Sequence, residues 1–100
     1  MTAAARRALK IIQECLAADR FVVLPHFAKR LDQRGLFWPD IEAVIDSPQD
    51  VQRGGKDRWD RSQWILRGKA ADGLDLSIVC AIDHDEPGHA TVFITIYWRD

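Results

Sequence analysis

Apolar residues recur at helical spacing in the first half of the chain and alternate at strand spacing in the second. Ala5, Ala8, Leu9, Ile12, Cys15 and Leu16 fall on one face of a helix, with Arg6, Arg7 and Lys10 towards the other side. Thr2 can accept from the free N–H groups of the first turn, so the spacing predicts a helix over 3–18. Phe21-Val22-Val23-Leu24 follows as a brief apolar link or strand. Pro25 suits the first turn of a second helix over 26–34, which buries Phe27, Ala28 and Leu31 and stops at Gly35. Pro39 opens a third over 39–46, with Ile41, Val44 and Ile45 inward, closed by Ser47-Pro48.

The second half reads as an antiparallel meander with strands over 59–67, 74–83 and 91–98, separated by turn-rich Lys69–Gly73 and His84–His89. Leu74, Leu76, Ile78, Cys80 and Ile82 share one face of the middle strand, and Val92, Ile94, Ile96 and Trp98 one face of the last. Those faces are expected to meet the helices. The opposite face then carries Arg61, Gln63, Ile65 and Arg67, then Asp75 and Ser77, then Phe93, Thr95 and Tyr97. The expected fold class is α+β, with N-terminal helices packed on one face of a C-terminal antiparallel sheet of three to four strands.

One hundred residues fit a single domain over 1–100, and a 47% apolar content supplies a core. No apolar run approaches the roughly 18 residues of a membrane span, and the N-terminus lacks a signal-peptide stretch, so the expected setting is cytoplasmic, away from the membrane. Cys15 and Cys80, far apart and only two, are expected as buried free thiols. The net charge of −1 does not announce a nucleic-acid binder, but charge is segregated. Residues 51–69 carry Arg53, Lys56, Arg58, Arg61, Arg67 and Lys69 against Asp57 and Asp60, whereas 70–100 carry six acids against Arg99. Such segments give either one basic and one acidic face, or pairs that cancel across neighbouring strands.

His26, Arg30 and Arg34 recur every fourth residue, which places them in one stripe along the second helix with Gln33 beside it. Guanidinium forks match phosphate oxygens, and imidazole moves protons near neutral pH, so the stripe is a candidate phosphate-facing surface. The competing reading is a solvated helix face. His84 and His89 with Asp83, Asp85 and Glu86 invite a metal, yet they crowd one loop without the ligand spacing of a metal site, so none is expected. Trp38, Trp59 and Trp64 either stack on bases or serve as core and partner contacts.

The motifs carry a resemblance. Pro25-His26-Phe27-Ala28-Lys29-Arg30, Arg34-Gly35-Leu36, Asp40–Ile45 and Ser47-Pro48 look like the H-A-x-x-R-M-x-x-R-G-I-x-x-x-D-V pattern of a bacterial family filed as a domain of unknown function. Trp64–Gly68, Asp72-Gly73, Leu76–Val79 and Ile94–Trp98 sit where that family has its later strands. The resemblance covers about residues 20–98 and leaves the N-terminal helix, 1–19, outside. That family is similar in turn to the RelE and BrnT group of small toxins from toxin-antitoxin pairs, which are ribonucleases.

The resemblance implies a RelE/BrnT-like fold and a toxin acting as an endoribonuclease without metal or cofactor. Its partners would be RNA, free or on the ribosome, and a cognate antitoxin protein. In such chemistry His26 would take the ribose 2′-hydroxyl proton, while Arg30 and Arg34 would stabilise charge on the phosphorane. Arg61, Arg67 and Tyr97 would hold the RNA backbone, with Tyr97 a source of the leaving-group proton unless it is ordinary strand packing. The alternative is a noncatalytic binding module of the same fold that holds a protein partner.

Overall fold

The structure is a computed structural model describing residues 1–83 and 88–99. Its elements run α1 (Ala3–Ala17), β1 (Phe21–Val23), α2 (Pro25–Arg34), α3 (Trp38–Asp46), β2 (Asp50–Lys56), β3 (Ser62–Lys69), β4 (Asp75–Asp83) and β5 (Ala90–Arg99). The three predicted helices are present, with local reasons for each end. Thr2 Oγ1 accepts from Ala5 N–H at 3.0 Å at the start of α1. Pro25 opens α2, and Gly35 ends it at φ 73°, a left-handed conformation that lets Leu36 N–H return to Leu31 O. Phe37 has no side-chain acceptor with which to cap α3. Instead the Asp40 carboxylate turns back to take Phe37 N–H at 2.9 Å.

The sheet departs from expectation. It has five strands in the order β1-β5-β4-β3-β2, and it is mixed, because β1 runs parallel to β5 while the other pairs are antiparallel. Strand β2 was not foreseen: its Gln52-Arg53-Gly54-Gly55-Lys56 run is exposed and only Val51 is buried, so it carries no alternating apolar signal. It is an edge strand held by main-chain pairing to β3. Residues 59–61, expected in a strand, belong instead to the turn before β3. The Asp57 carboxylate organises that turn by accepting from the N–H groups of Trp59 and Arg61.

The helices cover one face of the sheet, and one core lies between. Leu76, Ile78, Cys80 and Ile82 of β4 meet Ala8 and Ile12 of α1, Phe27 of α2 and Ile41 and Val44 of α3. In β5 the expected alternation breaks. Val79 pairs with Thr95 but Cys80 pairs with Phe93, which leaves Ile94 as an extra residue in a bulge. A bulge shifts the phase of a strand by one. Before it, Thr91 and Phe93 face the helices and Val92 lies on the other face; after it, Ile96 and Trp98 face the helices, and Thr95 and Tyr97 do not. Phe93, expected on the open face, is therefore in the core, where its ring centroid lies 5.4 Å from those of Phe27 and Trp38. Val92 and Ile94 are correspondingly not part of the helix-facing cluster.

Close approach of α3 to β3 depends on Gly68. A Cβ there would lie 3.2 Å from Val44 Cγ1 and 3.5 Å from the Pro48 backbone. Gly68→Val should therefore push α3 outward and lower stability by about 1–3 kcal/mol, as overpacked cores do. An unchanged urea midpoint would refute this contact as a constraint.

Cys15 and Cys80 are buried free thiols. Burial pushes the Cys80 thiol up to about 12, with the neighbouring Cys15 adding to the shift. Labelling by an aromatic disulfide reagent at neutral pH should thus proceed no faster than the chain unfolds. Immediate reaction of either thiol in the native protein would contradict the core placement.

Candidate functional site

Strand β1 is only 3 residues long and pairs with Thr91–Phe93, so among the described residues most of the β5 edge beyond it has no strand neighbour. Leu24 N–H takes Phe93 O at 3.0 Å, and α2 then runs along the remaining edge. From its middle turn Arg30 donates Nε–H to Ile96 O at 2.6 Å. Its guanidinium carbon lies 4.6 Å from the Trp98 ring centroid and 5.3 Å from that of Tyr97. Consecutive strand residues point to opposite faces, so a group touching both rings must sit on the rim of the sheet. Arg30 is thus half-buried and satisfies a carbonyl that a longer β1 would have taken.

His26 and Arg34, on the turns before and after Arg30, are both exposed. The helix therefore presents the stripe as its spacing predicts, with the central cation anchored to the sheet rim.

On the face away from the helices, the strands set side chains in cross-strand rows. Arg67 lies opposite Ser77, which lies opposite Tyr97, and Lys69 lies opposite Asp75, which lies opposite Arg99. Tyr97 is 53% exposed, enough for its hydroxyl to meet a ligand. Gln49, Arg67, Ser77, Tyr97 and Arg99 line a shallow cleft of about 230 Å³ there. Asp75 supplies its one carboxylate and is engaged by Lys69 Nζ at 2.8 Å. That hydrogen bond and charge, with smaller contributions from Arg99 and Arg67 against slight desolvation, hold the Asp75 carboxyl below the usual range. Further along the same face the Thr95 hydroxyl is buried without a hydrogen-bond partner among the described residues.

Arg61 is not brought to this cleft. It stands at the far end of β3, where Nε donates to Asp57 at 2.6 Å and Nη1 lies 3.7 Å from Asp83. Burial tends to raise the Asp57 carboxyl, but the backbone and side-chain hydrogen bonds from Arg61 and the N–H of Trp59 outweigh it and hold the group low. Thus Tyr97 and Arg67 share the cleft and Arg30 reaches the Tyr97 ring from α2, whereas His26, Arg34 and Arg61 do not line it. Ser77 lies on this face as its alternation predicts, whereas Gln49 and Arg99 are cleft residues that the expected site does not include. Arg99 was recoverable, being two residues beyond Tyr97 on the same face.

Of the tryptophans weighed as base platforms, Trp64 is buried and Trp38 stacks on Phe21 at 5.2 Å, which leaves Trp59, at 60% exposure, on the β2–β3 turn. His84, Asp85 and Glu86 lie outside the described residues. Among the described residues no three His, Cys, Asp or Glu side chains converge as a metal set. Among the described residues no helix is long and apolar enough to cross a membrane.

No curated protein and no solved structure matches the chain. A family profile does, that of the family described as Domain of unknown function (DUF4258), over residues 23–98. The match takes in α2, α3 and β2 through nearly all of β5, and leaves out α1. Spanning both the His26-Arg30-Arg34 stripe and the strands that bear Arg67 and Tyr97, it shows that the chain belongs to the DUF4258 family.

Proposed function

We propose that the chain is the toxin component of a RelE/BrnT-like toxin-antitoxin pair, an endoribonuclease that holds RNA against the open face of β3, β4 and β5 beside α2. The observation that carries this reading is the exposed Tyr97 hydroxyl, set in a row with Ser77 and Arg67 and edged by the Arg30 guanidinium. Phosphodiester cleavage at ribose needs a base for the 2′-hydroxyl, cations around the phosphorus and an acid for the leaving 5′-oxygen. His26 is assigned the base. Its proton abstraction lets the 2′-oxygen bond to phosphorus as the P–O5′ bond breaks, leaving a 2′,3′-cyclic phosphate and a 5′-hydroxyl end. Tyr97 protonates the 5′-oxygen, and Arg30, Arg34 and Arg67 stabilise the charge on the phosphorane. These groups complete the step without a metal or cofactor. A cognate antitoxin and a cytoplasmic place of action follow from the same reading.

One observation favours the second reading, a noncatalytic module that binds a protein. Arg30 already serves Ile96 O and two rings, which is the work of a positioning residue.

The two readings divide on His26→Ala. Removing a general base costs about 10²–10⁴-fold in rate, so the variant should lose RNA cleavage and growth inhibition with little change in melting temperature. Full cleavage by the folded variant excludes His26 as the base, and a wild-type chain that neither cleaves RNA nor arrests growth supports the binding module. Arg30→Ala should behave differently. It removes a charged donor from Ile96 O and is expected to destabilise the fold by roughly 1–3 kcal/mol, so its midpoint in urea should fall. A midpoint equal to wild type would release Arg30 from its role on the rim.

A further inference from the structure

We propose that the free edge of β2, with the cleft between it and α1, docks an extended acidic segment of a partner protein, one apolar side chain of which enters the cleft. This surface uses neither α2 nor the open-face rows, so it stands or falls apart from the ribonuclease reading.

The two edges of the sheet differ. At one, the short β1, Leu24 N–H and Arg30 engage the carbonyls of β5. At the other, β2 ends the sheet and among the described residues pairs only with β3, so its outer side keeps main-chain donors and acceptors for an added strand. A register shift between Arg53 and Gly55, where Gly55 takes φ 92°, bends the strand and leaves Asp50–Arg53 as its regular part.

Beside that regular part lies a cleft of about 610 Å³, floored by Ala4, Val51 and Trp64. A smaller one of about 160 Å³ continues it between α1 and the sheet, reaching Ile11. Both are lined by Ala4, Arg53 and Trp64, so they adjoin as one trough of mixed polar and apolar lining beside the edge strand and α1.

The charge on its rim selects the occupant. Arg53 lies over the Trp64 ring at 5.0 Å and Arg7 stands on the helix side. Neither has a carboxylate partner among the described residues, and Arg6 and Lys10 are exposed on the same helix. Asp50 is the one acid lining the trough. A main-chain edge recognises a peptide, and unpaired guanidiniums beside it recognise carboxylates on that peptide. A nucleic acid would find no open ring here, because Trp64 is 5% exposed. A second copy pairing through its own β2 would bring like cations together.

The test titrates the full-length chain, labelled for backbone amide NMR, with a roughly ten-residue peptide of alternating glutamate and valine and with the same peptide carrying lysine for glutamate. The acidic peptide should shift and protect from exchange the amides of residues 50–53, and move the Trp64 indole signal, while the lysine peptide does neither. Arg7→Glu with Arg53→Glu should weaken binding by about tenfold or more, and Lys29→Glu on α2 should leave it unchanged. Four outcomes would overturn the proposal: no response in β2 at millimolar peptide, equal binding of the lysine peptide, shifts confined to α2 and β5, or protection of β2 that grows with protein concentration alone.

Discussion

A strand with too short a neighbour sets the terms for this molecule. β5 is the second strand from one edge, yet β1 beside it is only 3 residues long, so the carbonyls of β5 from Phe93 onward need other donors. An unmet buried or half-buried carbonyl costs more than an ordinary hydrogen bond contributes. The chain answers with Leu24 N–H and Arg30 Nε–H, and both must come from α2 and its entry. That requirement lays α2 along the rim of the sheet. It also lays the helix's exposed His26 and Arg34 beside the strand that carries Tyr97.

The second constraint is the bulge at Ile94. Without it, a strict period of two would put Phe93 on the same face as Thr95 and Tyr97. One extra residue lets Phe93 join Phe27, Trp38 and Phe21 in an aromatic group under the helices, while Tyr97 still faces outward. Core packing and an exposed hydroxyl are thus compatible on one strand because its phase changes partway. Next to the bulge, Thr95 pairs with Val79, and its hydroxyl is buried without a hydrogen-bond partner among the described residues.

Charge follows topology and not the order of the chain. Basic residues 53–69 looked like one segment, but the fold disperses them to three places. Arg61 pairs with Asp57 and Asp83 at one end of β3, Arg67 lies in the cleft at the other, and Arg53 covers Trp64 on the edge strand. Local cancellation and local excess therefore coexist under a net charge of −1. What a ligand meets is the uncancelled part: Arg67 and Arg99 near Tyr97, and Arg7 with Arg53 beside the trough.

By itself the sequence determined what short-range physics controls. Helical spacing, Thr2, Pro25 and Gly35 located three helices within a residue or two, because caps and φ restrictions act over one turn. Alternation located β4 and β5 and most of their inward faces, and the every-fourth-residue rhythm put His26, Arg30 and Arg34 on one stripe. Tertiary structure decided what depends on partners distant in sequence. Strand β2 exists because β3 offers it an edge, not because Gly54 and Gly55 favour a strand. The parallel β1 exists because β5 lies beside it. The phase of β5 was set by the demand for Phe93 in the core, and a bulge leaves no mark in a pattern of period two. Arg30 and Arg61 look alike along the chain. Only the fold places one on the Ile96 carbonyl and the other on Asp57, because a side chain's partner is chosen by what packing brings within reach.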